Sequence, residues 1–145
     1  MKKKIFYFSI FLLFALFLSG CCPDTIGITE TEKVENLVGG FWSAIDQEDW
    51  FTAGLYCHGN AVDTFVYPYM LAYEATLAAY CSDLIVDVYY DIINISFPDV
   101  YTAVVDIQVN TWTSGCGHSN ERDQFGTMEI SLNLGKWLVY SVDLK

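Results

Sequence analysis

The sequence predicts an α+β domain whose helices pack on the concave face of a curved antiparallel sheet. Three observations carry this expectation. Apolar residues recur at helical spacing between Val34 and Ile45. From Ile85 to Leu144, apolar and polar residues alternate in blocks separated by turn residues. Within the first of those blocks the alternation changes phase, which marks an extra residue and hence a bend.

The helical part begins at Thr29-Glu30-Thr31-Glu32, a capping box with Thr29 as N-cap and Glu32 answering its backbone. Val34, Leu37, Val38, Phe41, Trp42 and Ile45 then share one face. Gly39 and Gly40 interrupt that helix, each costing about 1 kcal/mol relative to alanine unless something packs closely there. Asp46-Gln47-Glu48-Asp49 is a polar break, and Asp49 caps a second helix with Trp50, Ala53, Gly54 and Cys57 on one side. His58-Gly59-Asn60 ends it, and Ala61 to Val66 is expected as a short strand. Pro68 suits the first turn of a third helix running to about Tyr80.

The first long strand is expected from Ile85 to Phe97. Val86, Val88 and Tyr90 are apolar on even numbers, whereas Ile93, Ile95 and Phe97 are apolar on odd ones, so a bulge is expected between Asp91 and Asn94. Pro98-Asp99 turns the chain into Val100 to Trp112, with Tyr101, Ala103, Val105, Ile107 and Val109 on one face. Thr113 to Arg122 reads as a polar loop. Met128, Ile130, Leu132 and Leu134 form the next apolar face, and Gly135-Lys136 turns into Trp137 to Leu144, where Leu138, Tyr140, Val142 and Leu144 share a side.

The amino-terminal end carries a different message. Lys2, Lys3 and Lys4 precede an apolar run from Ile5 to Leu18, and Leu18-Ser19-Gly20-Cys21 follows. Fourteen helical residues span about 21 Å, short of the roughly 30 Å of hydrocarbon that a permanent anchor must cross. The segment reads as an export signal. Leu18-Ser19-Gly20-Cys21 resembles the lipobox of prokaryotic lipoproteins. The resemblance implies a signal peptide over residues 1–20, cut before Cys21, and a diacylglycerol on that cysteine with palmitate-type chains. The implied location is the extracytoplasmic face of the cell membrane, with residues 21–28 as a tether and 29–145 as the domain. The seven residues 22–28 beyond Cys21, fully extended, reach at most about 25 Å, so the domain would sit close to the bilayer.

Beyond residue 20, only Lys33, Arg122, Lys136 and Lys145 are basic against 18 acidic residues, a net charge of −14 compared with −11 for the whole chain. Phosphate backbones need clustered Lys and Arg, so nucleic acid is excluded as a partner. Four cysteines remain besides Cys21: Cys22, Cys57, Cys81 and Cys116. Outside the cytoplasm they are free to pair, and a disulfide from Cys57 to Cys81, tying the ends of the second and third helices, is expected. The rival reading is a metal site from Cys57, Cys81 and Cys116 with His58 and His118. Neither His–Cys pair has the separation typical of a zinc ligand pair, so the disulfide is favoured and no cofactor or metal is expected.

The opening helix with Phe41-Trp42-x-Ala44-Ile45, the break from Asp46 to Asp49, the helix with Trp50-x-x-Ala53, and the bulged finish ending in a Trp137-led strand resemble the nuclear-transport-factor-2-like (cystatin-like) cone. That resemblance implies a pocket inside the cone, here with Trp42, Trp50, Tyr90, Met128 and Tyr140 as lining. The fold hosts isomerases, dehydratases and non-catalytic modules, so it decides no activity alone. An isomerase needs an inward carboxylate. Asp106, Glu129 and Asp143 fall on the polar phase of their strands, and Asp87 and Asp91 alternate out of phase with Val86, Val88 and Tyr90. The expected function is therefore a membrane-anchored, non-enzymatic binding or interaction module for a small apolar ligand or a protein partner. The alternative is a small isomerase- or dehydratase-like enzyme. Val104 and Trp112, on an otherwise polar strand face, leave a homodimer open.

Overall fold

The structure is a computed structural model that describes residues 27–80, 83–115 and 117–145. Three α-helices, α1 (Glu30–Asp46), α2 (Trp50–Leu55) and α3 (Tyr67–Tyr80), precede four strands: β1 (Ile85–Asp99), β2 (Thr102–Gly115), β3 (His118–Asn133) and β4 (Lys136–Leu144). The strands form one antiparallel sheet in the order β1-β2-β3-β4, curved around the helices.

The capping box at Thr29 is present. The Thr29 hydroxyl accepts from the Glu32 amide at 3.1 Å, and Glu32 accepts from the Thr29 amide at 2.7 Å. The expected stripe of α1 is buried from Val34 to Ile45 and meets Val105, Ile107, Val109, Met128 and Ile130 of the sheet. Two polar contacts fix the helix at its ends. Trp137 Nε1 donates to Glu30 at 2.6 Å, and the Val88 amide donates to Asp46 at 2.7 Å. The second contact also satisfies a backbone donor on the edge strand β1, which would otherwise invite pairing with another chain.

The helix glycines mark close approach. A Cβ on Gly40 would lie 2.5 Å from the Tyr56 hydroxyl and 2.6 Å from its ring, and one on Gly39 would lie 3.0 Å from the Tyr90 hydroxyl. The two aromatic rings seat against the helix only because those side chains are missing.

The bulge expected in β1 is there. Ile92 faces Ile107 and Asn94 faces Asp106, leaving Ile93 as the extra residue. The β1 register shifts again between Ser96 and Asp99, and a further, unexpected bulge lies in β4, where Glu129 faces Ser141 and Ile130 faces Val139, so Tyr140 is the odd residue. It corrects the expected face of β4: Trp137 and Val139 are buried, Val142 and Leu144 pack inward, and Tyr140 is 45% exposed.

Three further expectations are corrected. Ala61 to Val66 is not a strand: Val62–Val66 winds as a π-helical turn, in which the Tyr67 amide donates to Val62, five residues back. Pro68 follows at once and has no N–H with which to continue a regular α-helical ladder there. Thr113 to Arg122 is not a loop, because β2 and β3 stay paired to Gly115 and His118. Leu134 is not a core position but a turn residue with φ 49°, fully open to solvent.

Cys57 lies just past α2, in a segment that pairs with the edge of β4. The His58 amide donates to the Val139 carbonyl and the Val139 amide to that of Tyr56, both at 2.8 Å. Cys57 carries a free thiol that donates to the Ala53 carbonyl at 3.4 Å. The expected pairing with Cys81 is therefore not seen, and Cys81 and Cys116 lie outside the described residues. Val139 is level with Ala103 at one end of β2, by way of Ile130. Asp83, two residues after Cys81, has its carbonyl 2.6 Å from the Cβ position of Gly115, at the other end of that strand.

Two outcomes are expected. Gly40→Ala should lower stability in urea unfolding although alanine gains about 1 kcal/mol of helix propensity, because displacing the Tyr56 ring costs about 1–3 kcal/mol. In a double-mutant cycle with Tyr56→Leu the two changes should couple, and strict additivity would count against the contact. Burial pushes the Cys57 thiol up to about 11, so thiolate is scarce at pH 8. Iodoacetamide at pH 8 should therefore modify Cys57 slowly in the folded chain and quickly after unfolding. Any stability linked to this burial is complete below the thiol's ordinary value and lost as pH rises towards 11. Non-reducing peptide mapping should find Cys57 unpaired, and a Cys57–Cys81 peptide would restore the expected bridge.

Candidate ligand-binding cavity

A cavity sits between α3 and the sheet, at the end of β2 and β3 that carries Gly115 and His118. It is open on one side and has a volume of about 510 Å³, within the range of small-molecule sites. Its roof is one face of α3: Tyr69, Ala72, Tyr73 and Thr76. Leu84, Val86, Thr111 and Thr113 form the apolar and hydroxyl floor. Ser119, Asn120, Arg122 and Gln124 of β3 close the remaining wall.

Strand register explains this lining. The inward phase of β2 runs through Val105, Ile107 and Val109 and continues to Thr111 and Thr113. On β3 the inward phase runs from Met128 and Ile130 back to Gln124, Arg122 and Asn120, so the core turns polar towards the hairpin tip without a change of face.

Aromatic rings connect core and roof. Trp42 meets Phe65 at 5.8 Å, Phe65 meets Tyr69 at 5.6 Å, and Trp50 meets Tyr73 at 5.7 Å between centroids. The hydroxyls of the two roof tyrosines differ. Tyr73 donates to Glu48, and desolvation followed by that carboxylate pushes its hydroxyl up to about 12. Burial raises the Tyr69 hydroxyl above its ordinary value, opposed by the Thr111 side chain and Arg122 and reinforced by the Asp46 carboxylate. Both therefore remain protonated at neutral pH.

None of the five residues expected to line a pocket borders this cavity. Trp42 and Met128 are fully buried in the core centre, where Trp42 Nε1 donates to Met128 Sδ at 3.3 Å. Tyr90 packs against Gly39, Tyr140 lies 3.2 Å from where a Cβ on Gly59 would be, and Trp50 stacks behind the roof tyrosines. The centre of the cone is solid because α1 fills it. The lining of this cavity was not legible in the sequence because Thr113 to Arg122 lacks apolar alternation. A signal was present: Thr111 and Thr113 keep the odd-numbered phase of Val105 to Val109 and are β-branched.

No Asp, Glu or His borders the cavity among the described residues. Asp87 and Asp91 pair with Trp112 and Gln108 on the outer face. Asp106 lies there too, accepting from Asn94 at 3.2 Å. His58 meets Asn133 near the opposite end of the sheet, and no cluster of metal-ligating side chains occurs among the described residues.

Neither a family model nor a curated protein matches this sequence. Solved structures do resemble it. An NTF-2-like protein of unknown function from Shewanella oneidensis superposes with a TM-score of 0.61 at 12% identity, over 80% of this chain and 98% of that one. A ketosteroid isomerase-like protein from Erwinia carotovora atroseptica gives 0.61 at 11%, over 76% and 90%. A protein with a cystatin-like fold from Nostoc punctiforme gives 0.56 at 11%, over 81% and 94%. At such identities the likeness speaks for architecture alone: the chain has the NTF-2-like, cystatin-like fold.

Proposed function

We propose that the protein is an exported lipoprotein, held to the membrane through Cys21, whose domain binds a small molecule in the cavity beneath α3. The observation that carries the reading is the arrangement of the domain's two ends. The described chain starts beside Trp137, because Glu30 in the first turn of α1 bonds that ring. Trp137 is level with Leu132, whose amide donates to the Tyr101 carbonyl at 2.7 Å. The tether would thus leave from the end formed by the β1–β2 and β3–β4 turns. The cavity opens at the other end of β2, about 40 Å away along a 14-residue strand.

The tether end is also the apolar one. Ile28, Val100, Tyr101 and Leu134 are all exposed there, Val100 at 74% and Leu134 at 99%. Leu134 occupies a left-handed turn position that Asn or Gly would fill with less strain. Lys33 and Lys136, two of the four cations beyond residue 20, belong to the same end. Such a rim suits a bilayer within about 25 Å of the anchor, with the cavity facing outwards.

The alternative, an isomerase- or dehydratase-like enzyme, would need a carboxylate to enter the cavity. The cavity lining favours binding instead. Against a homodimer through the outer face stands the charge there: Asp87, Asp91, Asp106, Glu121, Asp123 and Glu129 would meet their own copies.

Two measurements test the proposal. Mass spectrometry of the membrane fraction should find Cys21 as a lipidated amino terminus, and Cys21→Ala should leave the precursor unlipidated and uncut. An unmodified Cys21 in that fraction would overturn the anchor. Native mass spectrometry of the gently extracted protein should reveal a co-purified small molecule, whose contacts should map to Tyr69, Thr111 and Arg122. Contacts confined to the outer sheet face would overturn the cavity assignment.

A further inference from the structure

We infer that the cavity selects an amphiphile with a single carboxylate head, which Arg122 receives while the tail lies between α3 and the floor of the sheet. The inference rests on the binding reading above and adds the chemical class of the ligand.

Arg122 is the only arginine in the chain and, among the described residues, the only charged one on the cavity wall. Eighteen acidic residues are available to neutralise it, yet among the described residues the ion pairs are Lys33–Glu30 and Lys145–Asp143. Its chain neighbours Glu121 and Asp123 are turned to the outer face, where Asn110 donates to both, at 2.7 and 3.0 Å. Strand alternation therefore separates the cation from the acids beside it. Arg122 is an exposed residue on the cavity wall that makes no ion pair among the described residues, and such a guanidinium is matched by a planar anion that can accept two parallel hydrogen bonds.

The neighbouring groups suit such an anion. Among the described residues, the Asn120 and Gln124 side chains on the same wall have no hydrogen-bond partner. Thr111 is the cross-strand partner of Arg122, and Tyr69 lines the same cavity from α3. One cation and neutral amide or hydroxyl groups fit a monoanion, whereas a phosphate dianion would want a second cation. The apolar part of the lining is Ala72, Leu84, Val86 and the faces of Tyr69 and Tyr73, with Thr76, Thr113 and Ser119 adding hydroxyls between them, and it suits an aryl or alkyl body. The acidity of the whole domain does not reverse this preference. Exposed charges beyond about 8 Å are largely screened at physiological salt, whereas Arg122 acts in contact.

The test uses the ¹⁵N-labelled full chain. Its single arginine gives one Nε–Hε resonance, a reporter located in the cavity wall. The probes are 4-phenylbutyrate and 4-phenylbutanamide, which share a body and differ in the charge of the head. The acid should shift the Arg122 resonance and the Thr111 and Thr113 amides saturably, with at least ten-fold higher affinity than the amide. Arg122→Gln should bring affinity for the acid down to that of the amide, read at the Thr111 and Thr113 signals. Equal affinities for acid and amide would overturn the inference and leave the binding cavity standing. Absence of saturable shifts with either probe would overturn both.

Discussion

A mismatch of lengths governs this molecule. The 17 residues of α1 make about 25 Å of helix, whereas the 14 residues of β2 make about 46 Å of strand. Whatever its crossing angle, α1 cannot cover the concave face. It is fixed at one end by Trp137 and at the other by the Val88 amide, and between these points its stripe fills the cone. Beyond Val88 the sheet continues without it. The remaining face falls to α3, whose apolar residues are spread around its circumference instead of gathered in a stripe. A helix without a dominant face has no single surface to press against a sheet, so a gap stays open there.

Curvature converts that gap into a container. The bulges at Ile93 and Tyr140 each insert one residue into an edge strand, turning the flanking positions and bending the sheet around the helices. Both lie towards the tether end and wrap the sheet around α1. The hairpin tip at the far end is regular in pairing and polar in lining, which is what a solvent-open wall allows.

Charge is sorted by the same geometry. With period two, acids fall on the outer face wherever they alternate with inward residues, and β3 carries this sorting past Glu121 and Asp123. Arg122 is therefore on the inside by register alone. The result is a domain whose exterior is strongly acidic and whose cavity wall carries a cation, separated by the thickness of one sheet.

Much of the fold was legible in the sequence, because the signals were local and repeated. Thr29 and Glu32 placed the start of α1, the apolar stripe from Val34 to Ile45 placed its buried face, and the phase change around Asp91 to Asn94 located the β1 bulge. Those positions are decided by hydrogen bonds or burial within a few residues. The bulge at Tyr140 was hidden because Trp137, Leu138, Val139 and Tyr140 are all apolar, so the strand shows no alternation in which a phase change could appear. The cavity was hidden for a deeper reason. Thr113 to Arg122 is polar on both faces, since one side meets solvent and the other a ligand-sized space, so the pattern of a half-buried strand is absent. Its pairing comes from the long hairpin, and the space above it from a helix that is too short. The sequence by itself determined which residues of α1 and β2 face the core, from Val34 to Ile45 and from Ala103 to Val109. Only the tertiary structure decided how far α1 reaches along the sheet, and hence where the core stops and the cavity begins.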